Sequence, residues 1–206
     1  MGSVPHSFGD EVRGLAFGPD HLLYATVARG TAGFAVLALD SSGAVQQTYV
    51  GSVYVAGNLS YGKIATDKQY VYVAGQDQLT RFLLGDPSSG AVIYTNNQVL
   101  DVEPLPNGNL LVASAYEIDE ITNSGAFLRG IPLSGGGDNF DTDICGIEYN
   151  PATNELFVTE LGHSGFFFQI MRLDASTGMR TIFFLQARVN CSWAVARKHR
   201  HFMIRL

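Results

Sequence analysis

The sequence predicts an all-β chain, a β-propeller of about four four-stranded blades, and three observations predict it. A strand–turn–strand phrase recurs at similar spacing, a second turn type recurs in step with it, and the composition favours strands over helices. The phrase ends at Thr26 in "GPDHLLYAT", at Ala74 in "ATDKQYVYVA", at Ala113 in "LPNGNLLVA" and at Thr159 in "NPATNELFVT", spacings of 48, 39 and 46 residues. Pro, Asp, Asn or Gly residues open each copy because they favour tight turns, and a short β-forming run follows. The second turn type lies at Gly43 in "LDSSGAV", Gly90 in "GDPSSGAV", Gly125 in "ITNSGAF" and Gly178 in "LDASTGM". There an Asp or Asn side chain opens the turn and Gly supplies the positive φ that a hairpin demands. A period of ~40–50 residues carrying four short strands is the propeller pattern.

Taken in order, the first unit reads as strands Val12–Phe17, Leu22–Val27, Phe34–Leu39 and Val45–Val50. The second unit spans about 61–95, the third 99–132 and the fourth 144–184. Their first strands contain "RGLAF", "GKIAT", "DVEPL" and "CGIEY", mixtures of small and apolar residues that suit crowding toward a central axis. No stretch of residues 1–186 sustains a helical apolar period. The last twenty residues, 187–206, read as a basic non-repeat tail. They hold five of the 13 Lys and Arg and none of the 19 acids, so the propeller body is strongly acidic. An acidic body argues against nucleic acid as its partner, because phosphate binding needs a positive footprint.

At 206 residues, 46% hydrophobic and 16% charged, the chain has enough apolar content for an ordered core. No apolar run approaches the ~20 residues that span a bilayer. The first residues, "MGSVPHSFGDEV", lack the basic and apolar regions of a secretory signal. Cys145 and Cys191 form no ligand spacing and read as buried thiols.

The phrases "GLAFGPDHLLYAT" with "LALDSSGAV", and "CGIEYNPATNELFVTE" with "IMRLDASTGM", resemble the blade consensus of NHL-repeat and of gluconolactonase- and virginiamycin-lyase-like six-bladed propellers. The resemblance covers roughly residues 10–184. It implies the fold, and it leaves open whether the blades serve an enzyme or a binding module. Such relatives close with six or seven blades, so four units lead to the expectation of an incomplete propeller, with pairing of two chains as one way to cover its ends.

In a propeller, ligands meet the loops at one end of the channel. The densest polar cluster there is "GGGDNFDTD", where Asp138, Asn139, Asp141 and Asp143 offer the oxygen ligands that Ca2+ prefers. The competing reading is an acidic link between blades. Gluconolactonase-like relatives hold a metal with scattered Glu, Asn and Asp, which Asn58 or Asn97 with Asp143 and Glu160 could imitate. The second cluster is "TELGHSGFFF". A carboxylate beside an imidazole can tune it as an acid–base pair, so Glu160 and His163 are the catalytic candidates; virginiamycin-lyase-like relatives use a histidine base. These observations favour a non-catalytic binding or scaffold module that meets a protein or small molecule at the loop face. A metal-dependent lactonase-like hydrolase or lyase is the alternative.

Overall fold

The units are antiparallel sheets of four strands, the outer strand of the fourth in two short pieces, and they stand as the blades of a β-propeller, with no helix among the described residues. The computed structural model describes residues 11–28, 34–51, 62–75, 77–114, 117–131, 142–162, 167–181 and 187–188. Blade 1 contains β1 (Glu11–Phe17), β2 (Leu23–Ala28), β3 (Phe34–Leu39) and β4 (Val45–Gly51). Blade 2 contains β5 (Lys63–Thr66), β6 (Tyr70–Ala74), β7 (Gln78–Leu83) and β8 (Asp86–Thr95). Blade 3 contains β9 (Val99–Pro104), β10 (Leu110–Ser114), β11 (Ile118–Ile121) and β12 (Phe127–Ile131). Blade 4 contains β13 (Thr142–Asn150), β14 (Glu155–Gly162) and β15 (Phe167–Asp174). Two short pieces, β16 (Arg180–Thr181) and β17 (Ala187–Arg188), both pair with β15.

The recurring phrase has a side-chain cause. In blade 1 the turn residue Asp20 accepts from the Tyr24 hydroxyl at 2.8 Å, and in blade 2 Asp67 accepts from Tyr72 at 2.7 Å. A buried tyrosine needs a partner for its hydroxyl, and the preceding turn supplies one. Asp67 also caps the Gln69 and Tyr70 amides, so one carboxylate closes the turn and anchors the next strand.

The second turn register holds in three blades and shifts in one. Gly43, Gly125 and Gly178 take positive φ, as expected. In blade 2 the turn is instead the tighter Leu84–Gly85 pair, with Gly85 at φ 81°, and Gly90 lies within β8. Gly90 still needs to be small, because a Cβ there would come within 2.7 Å of the Phe82 ring.

The core lies between blades. Tyr24, Val36, Ala38 and Tyr49 of blade 1 pack against Ile64, Val71, Val73 and Phe82 of blade 2. Tyr72, Ala74 and Leu79 meet Val102, Leu110 and Val112 across the next joint, and Leu111, Ala113 and Ile118 meet Ile147, Leu156 and Val158 across the third. Alternation along each strand sends one set of residues to the preceding blade and the other to the following blade. Among the described residues, no core cluster joins blade 4 to blade 1. The small cluster of Ala25, Val27, Leu37 and Leu39 is buried and draws on blade 1 alone.

Candidate functional site

The innermost strands β1, β5, β9 and β13 lie side by side around the axis. An inner strand has an unpaired edge whose N–H and C=O groups must find partners. Neighbouring blades provide them through side chains. Thr66 donates to the Phe17 carbonyl at 2.7 Å, tying blade 2 to blade 1. Asp101 accepts from the Ile147 amide at 3.0 Å, and Glu103 accepts from the Tyr149 amide, tying blade 3 to blade 4.

These ties gather charge. Asp101 and Glu103 of β9 share this region with Glu148 of β13 and with Lys63 of β5. Burial pushes the Asp101 carboxyl up to about 6, against the pull of its amide bonds and of the Lys63 charge. Burial pushes Glu103 further, to about 8, with the negative charges of Glu148 and Asp101 adding to the effect. Perturbed carboxyls of this kind mark functional candidates and also occur in purely structural ties. The sequence reading treated these strands as small and apolar, and the structure corrects it for β9 and β13. The signal was present in the alternating acids of "DVEPL", which place Asp101 and Glu103 on one face of a strand.

At the opposite end of the blades from Asp143 and Glu160, the first hairpin turns of blades 1, 2 and 3 border a groove of about 640 Å³. Phe17, Pro19, Pro104, Leu105 and Pro106 make up its apolar part, and Thr66, Asp67, Lys68, Gln69 and Asn123 its polar part. Phe17 is 77% exposed, so its ring is available to whatever enters the groove. The Asp67 carboxylate beside it is already engaged by its own turn and by Tyr72, so Lys68 is the charge free of such turn bonds.

The sequence-predicted site residues are only partly placed. Asp138, Asn139, Asp141 and His163 lie outside the described residues, as does Asn58. Asp143 pairs with Leu161 and Glu160 pairs with Ile144, so the two occupy adjacent rungs of the β13–β14 ladder. Asn97 is exposed. Its neighbour Asn96 donates to Glu117 at 2.9 Å and to the Tyr94 hydroxyl at 3.0 Å, while Tyr94 donates to Asp119. That network joins blade 2 to blade 3 at the loop end. Among the described residues, no group of three or more His, Cys, Asp or Glu is arranged to hold a metal ion. No helix among them is long and apolar enough to cross a membrane.

No family model and no curated protein matches the chain. Solved structures do. A protein of unknown function from Bacteroides caccae superposes with a TM-score of 0.68 at 13% identity, covering 91% of this chain and 71% of its own. Kuenenia stuttgartiensis hydrazine synthase gives 0.64 at 15% identity, covering 86% of this chain and 49% of that one. The Niastella koreensis GH74 enzyme gives 0.63 at 16% identity, over 88% of this chain and 30% of that one. The chain thus spans less than two thirds of the hydrazine synthase and GH74 chains. At these identities the likeness is one of fold, and it defines a β-propeller protein; the narrower resemblance to NHL-repeat and lactonase-like propellers has no family match behind it.

Proposed function

We propose that the chain is a non-catalytic binding or scaffold module of the β-propeller class, akin in blade sequence to NHL-repeat proteins. The observation that carries this reading is the groove of about 640 Å³ across three blades. Its size suits a small ligand, and its lining sets apolar residues beside the polar Thr66, Asp67, Lys68, Gln69 and Asn123. Phe17 and the three prolines favour a flat apolar body, and Lys68 favours an acidic end. Anilinonaphthalene sulfonate has both features and serves as the probe. One saturable site, lost in Phe17→Ser and weakened in Lys68→Glu with the circular dichroism of both variants unchanged, is the expected result. Dye binding that ignores both substitutions overturns the assignment of the groove.

A second reading is a lactonase-like hydrolase or lyase using a divalent ion such as Ca2+. It is favoured by the approach of Glu103 and Glu148 from two blades, close enough to raise one carboxyl. In this reading Asp138, Asn139, Asp141 and Asp143 are metal-ligand candidates, and Glu160 and His163 the acid–base pair. Turnover of a simple lactone that requires added Ca2+ and disappears in Glu160→Gln would replace the binding reading with this one.

A further inference from the structure

The face that blade 1 turns away from blade 2 is covered along its middle and open along both margins. Ala25 and Val27 of β2 and Ala35, Leu37 and Leu39 of β3 are between 0 and 7% exposed. On the same face Val12, Leu15 and Phe17 of β1 and Val45, Thr48 and Val50 of β4 are exposed. Strand pairing fixes the rows: Leu15–Ala25–Leu37–Thr48 crosses the sheet, and Val12–Val27–Ala35–Val50 runs beside it.

Side chains on one face of a sheet leave water only where another element lies on them. No other blade supplies that element. Among the described residues, the cluster of Ala25, Val27, Leu37 and Leu39 draws on blade 1 alone. The cover is also narrower than a blade. At the three joints a neighbouring blade buries the inner-strand residues Ile64, Val102 and Ile147, the counterparts of Leu15. Leu15 itself is 61% exposed. Two strands spaced ~4.8 Å apart make a strip that a single chain segment can cover.

Residues 189–206 fit that strip in their point of departure, their side-chain pattern and their charge. The chain leaves blade 4 at β17, which pairs with Phe167 and Phe168 where β15 begins. At that same end of the propeller β2 gives way to β3 in blade 1, so the strip starts there at Val27 and Ala35 and runs to Leu23 and Leu39. The stretch "VNCSWAVA" alternates, with Val189, Cys191, Trp193 and Val195 on one side of an extended segment. From Val189 to Val195 such a segment measures ~20 Å, enough for the strip's length. Arg197, Lys198 and Arg200 follow, and this path delivers them to the far end, beside the turns of Asp20 and Asp40. Among the described residues both carboxylates take only neutral partners: Asp20 the Leu22 amide and the Tyr24 hydroxyl, Asp40 the amides and hydroxyl of its own turn and the Gln46 side chain. Residues 1–10 hold no Lys or Arg, and residues 52–62 must carry the chain from the outer strand of blade 1 to the inner strand of blade 2.

We propose that residues 189–201 are the cover of blade 1, laid along β2 and β3 of the same chain. Val189, Cys191, Trp193 and Val195 rest on Ala25, Val27, Leu37 and Leu39, and the basic run stands beside Asp20 and Asp40. The basic tail is thus a strap that finishes the array at its open end, and its charge serves the acidic body. This proposal is independent of the groove reading.

Trp193 is the one tryptophan of the chain, so its fluorescence reports the contact directly. In the native chain its emission is expected to be blue-shifted and poorly quenched by acrylamide, with both properties lost in urea. Cross-linking then gives the place. Thr48 borders the strip and Ser192 falls on the open side of the segment, so a short bismaleimide is expected to join Thr48→Cys to Ser192→Cys within one chain. Peptide masses tell that bridge from any at Cys145 or Cys191. Adding Trp193→Asp is expected to abolish the bridge, with circular dichroism checking that the blades remain. Arg197→Glu with Lys198→Glu, which leaves the apolar contact in place, is expected to slow bridging about fivefold at low salt, the reach of an exposed ion pair. A native Trp193 as freely quenched as in urea, a bridge that never forms, a bridge that survives Trp193→Asp, or one that forms only between two chains and rises with concentration each overturn the proposal.

Discussion

Blades 1 and 2 meet at Gly14, whereas blades 3 and 4 meet at Asp101, and the two residues hold equivalent positions in the repeat. At the first joint the backbones come close: a Cβ on Gly14 would lie 2.7 Å from the Gly62 carbonyl and 3.0 Å from the Ile64 nitrogen. At the other joint a carboxylate reaches across and takes the Ile147 amide. One solution is steric and indifferent to pH. The other is electrostatic and buries ionisable groups. The comparison shows that the fold fixes the place of the tie and leaves its chemistry free.

The largest effect is expected from Gly14→Val. Its new side chain meets backbone on two sides, and overpacking against groups that cannot turn aside costs about 3 kcal/mol. Urea unfolding measures it. The control is the equivalent glycine of blade 4, Gly146, whose Cβ would meet only the side chains of Thr159 at 3.1 Å and Asp101 at 3.3 Å. Gly146→Ala should cost about 1 kcal/mol, since side chains can shift. Equal costs at the two glycines would mean that the joints are not built differently after all.

Asp101→Ala comes next. It leaves the inward Ile147 amide without its acceptor, and an unsatisfied buried donor costs about 2 kcal/mol. Asp101→Asn keeps a carbonyl oxygen for that amide and should recover most of the loss. If Asn is as damaging as Ala, the amide bond is not what the carboxylate contributes.

Blade boundaries were legible in the sequence because each depends on local chemistry. Asp20 and Asp67 close a turn and hold a tyrosine four or five residues on, a pattern visible in "GPDHLLYAT" and "TDKQYVY". The inner-strand carboxylates were not legible. "DVEPL" shows two acids on one face, but nothing in it says that the amides of Ile147 and Tyr149, more than 40 residues away, stand opposite. The turn of blade 2 was misplaced for a related reason. Both Gly85 and Gly90 suit a hairpin, and the pairing of Leu83 with Asp86 selects the first. The groove was missed because Phe17 reads as one more apolar strand residue until the neighbouring turns are placed beside it.

The electrostatic joint should leave its mark on pH dependence. A carboxyl whose pKa is raised on folding holds a proton that the unfolded chain releases, so stability falls as pH rises across the interval. For Asp101 that interval runs from 3.8 to about 6, and for Glu103 from 4.5 to about 8. Turn carboxylates such as Asp40 and Asp174 are held below their usual range by amide and hydroxyl bonds, so their contribution is lost only as pH falls. Of the two tie carboxyls, Glu103 is the one whose interval covers pH 6 to pH 8. Chemical denaturation across that stretch should show declining stability in the wild type and a flatter profile in Glu103→Gln. An unchanged slope would mean that Glu103 is ionised at no extra cost. Gly14→Ala should lower the whole curve without altering its slope.

The smallest effect tests whether the halves also differ in turn strain. The first hairpin turns of blades 1 and 3 share one hydrogen-bond pattern: Gly18 with Leu22 and His21 with Gly18, Leu105 with Asn109 and Gly108 with Leu105. The residue that turns left-handed is His21 at φ 65° in blade 1 and Gly108 at φ 87° in blade 3. A side chain in that region costs about 1–2 kcal/mol, while glycine gives back part of this through its freer unfolded chain. His21→Gly should therefore stabilise by about 0.5 kcal/mol, the net of those two effects. Gly108→Ala should destabilise by about 0.5 kcal/mol, the same two effects reversed, since a Cβ there has no atom within 4 Å. Opposite signs in thermal melts would place the strain in the turn of blade 1. If both substitutions destabilise, the His21 side chain contributes a contact that outweighs its backbone cost.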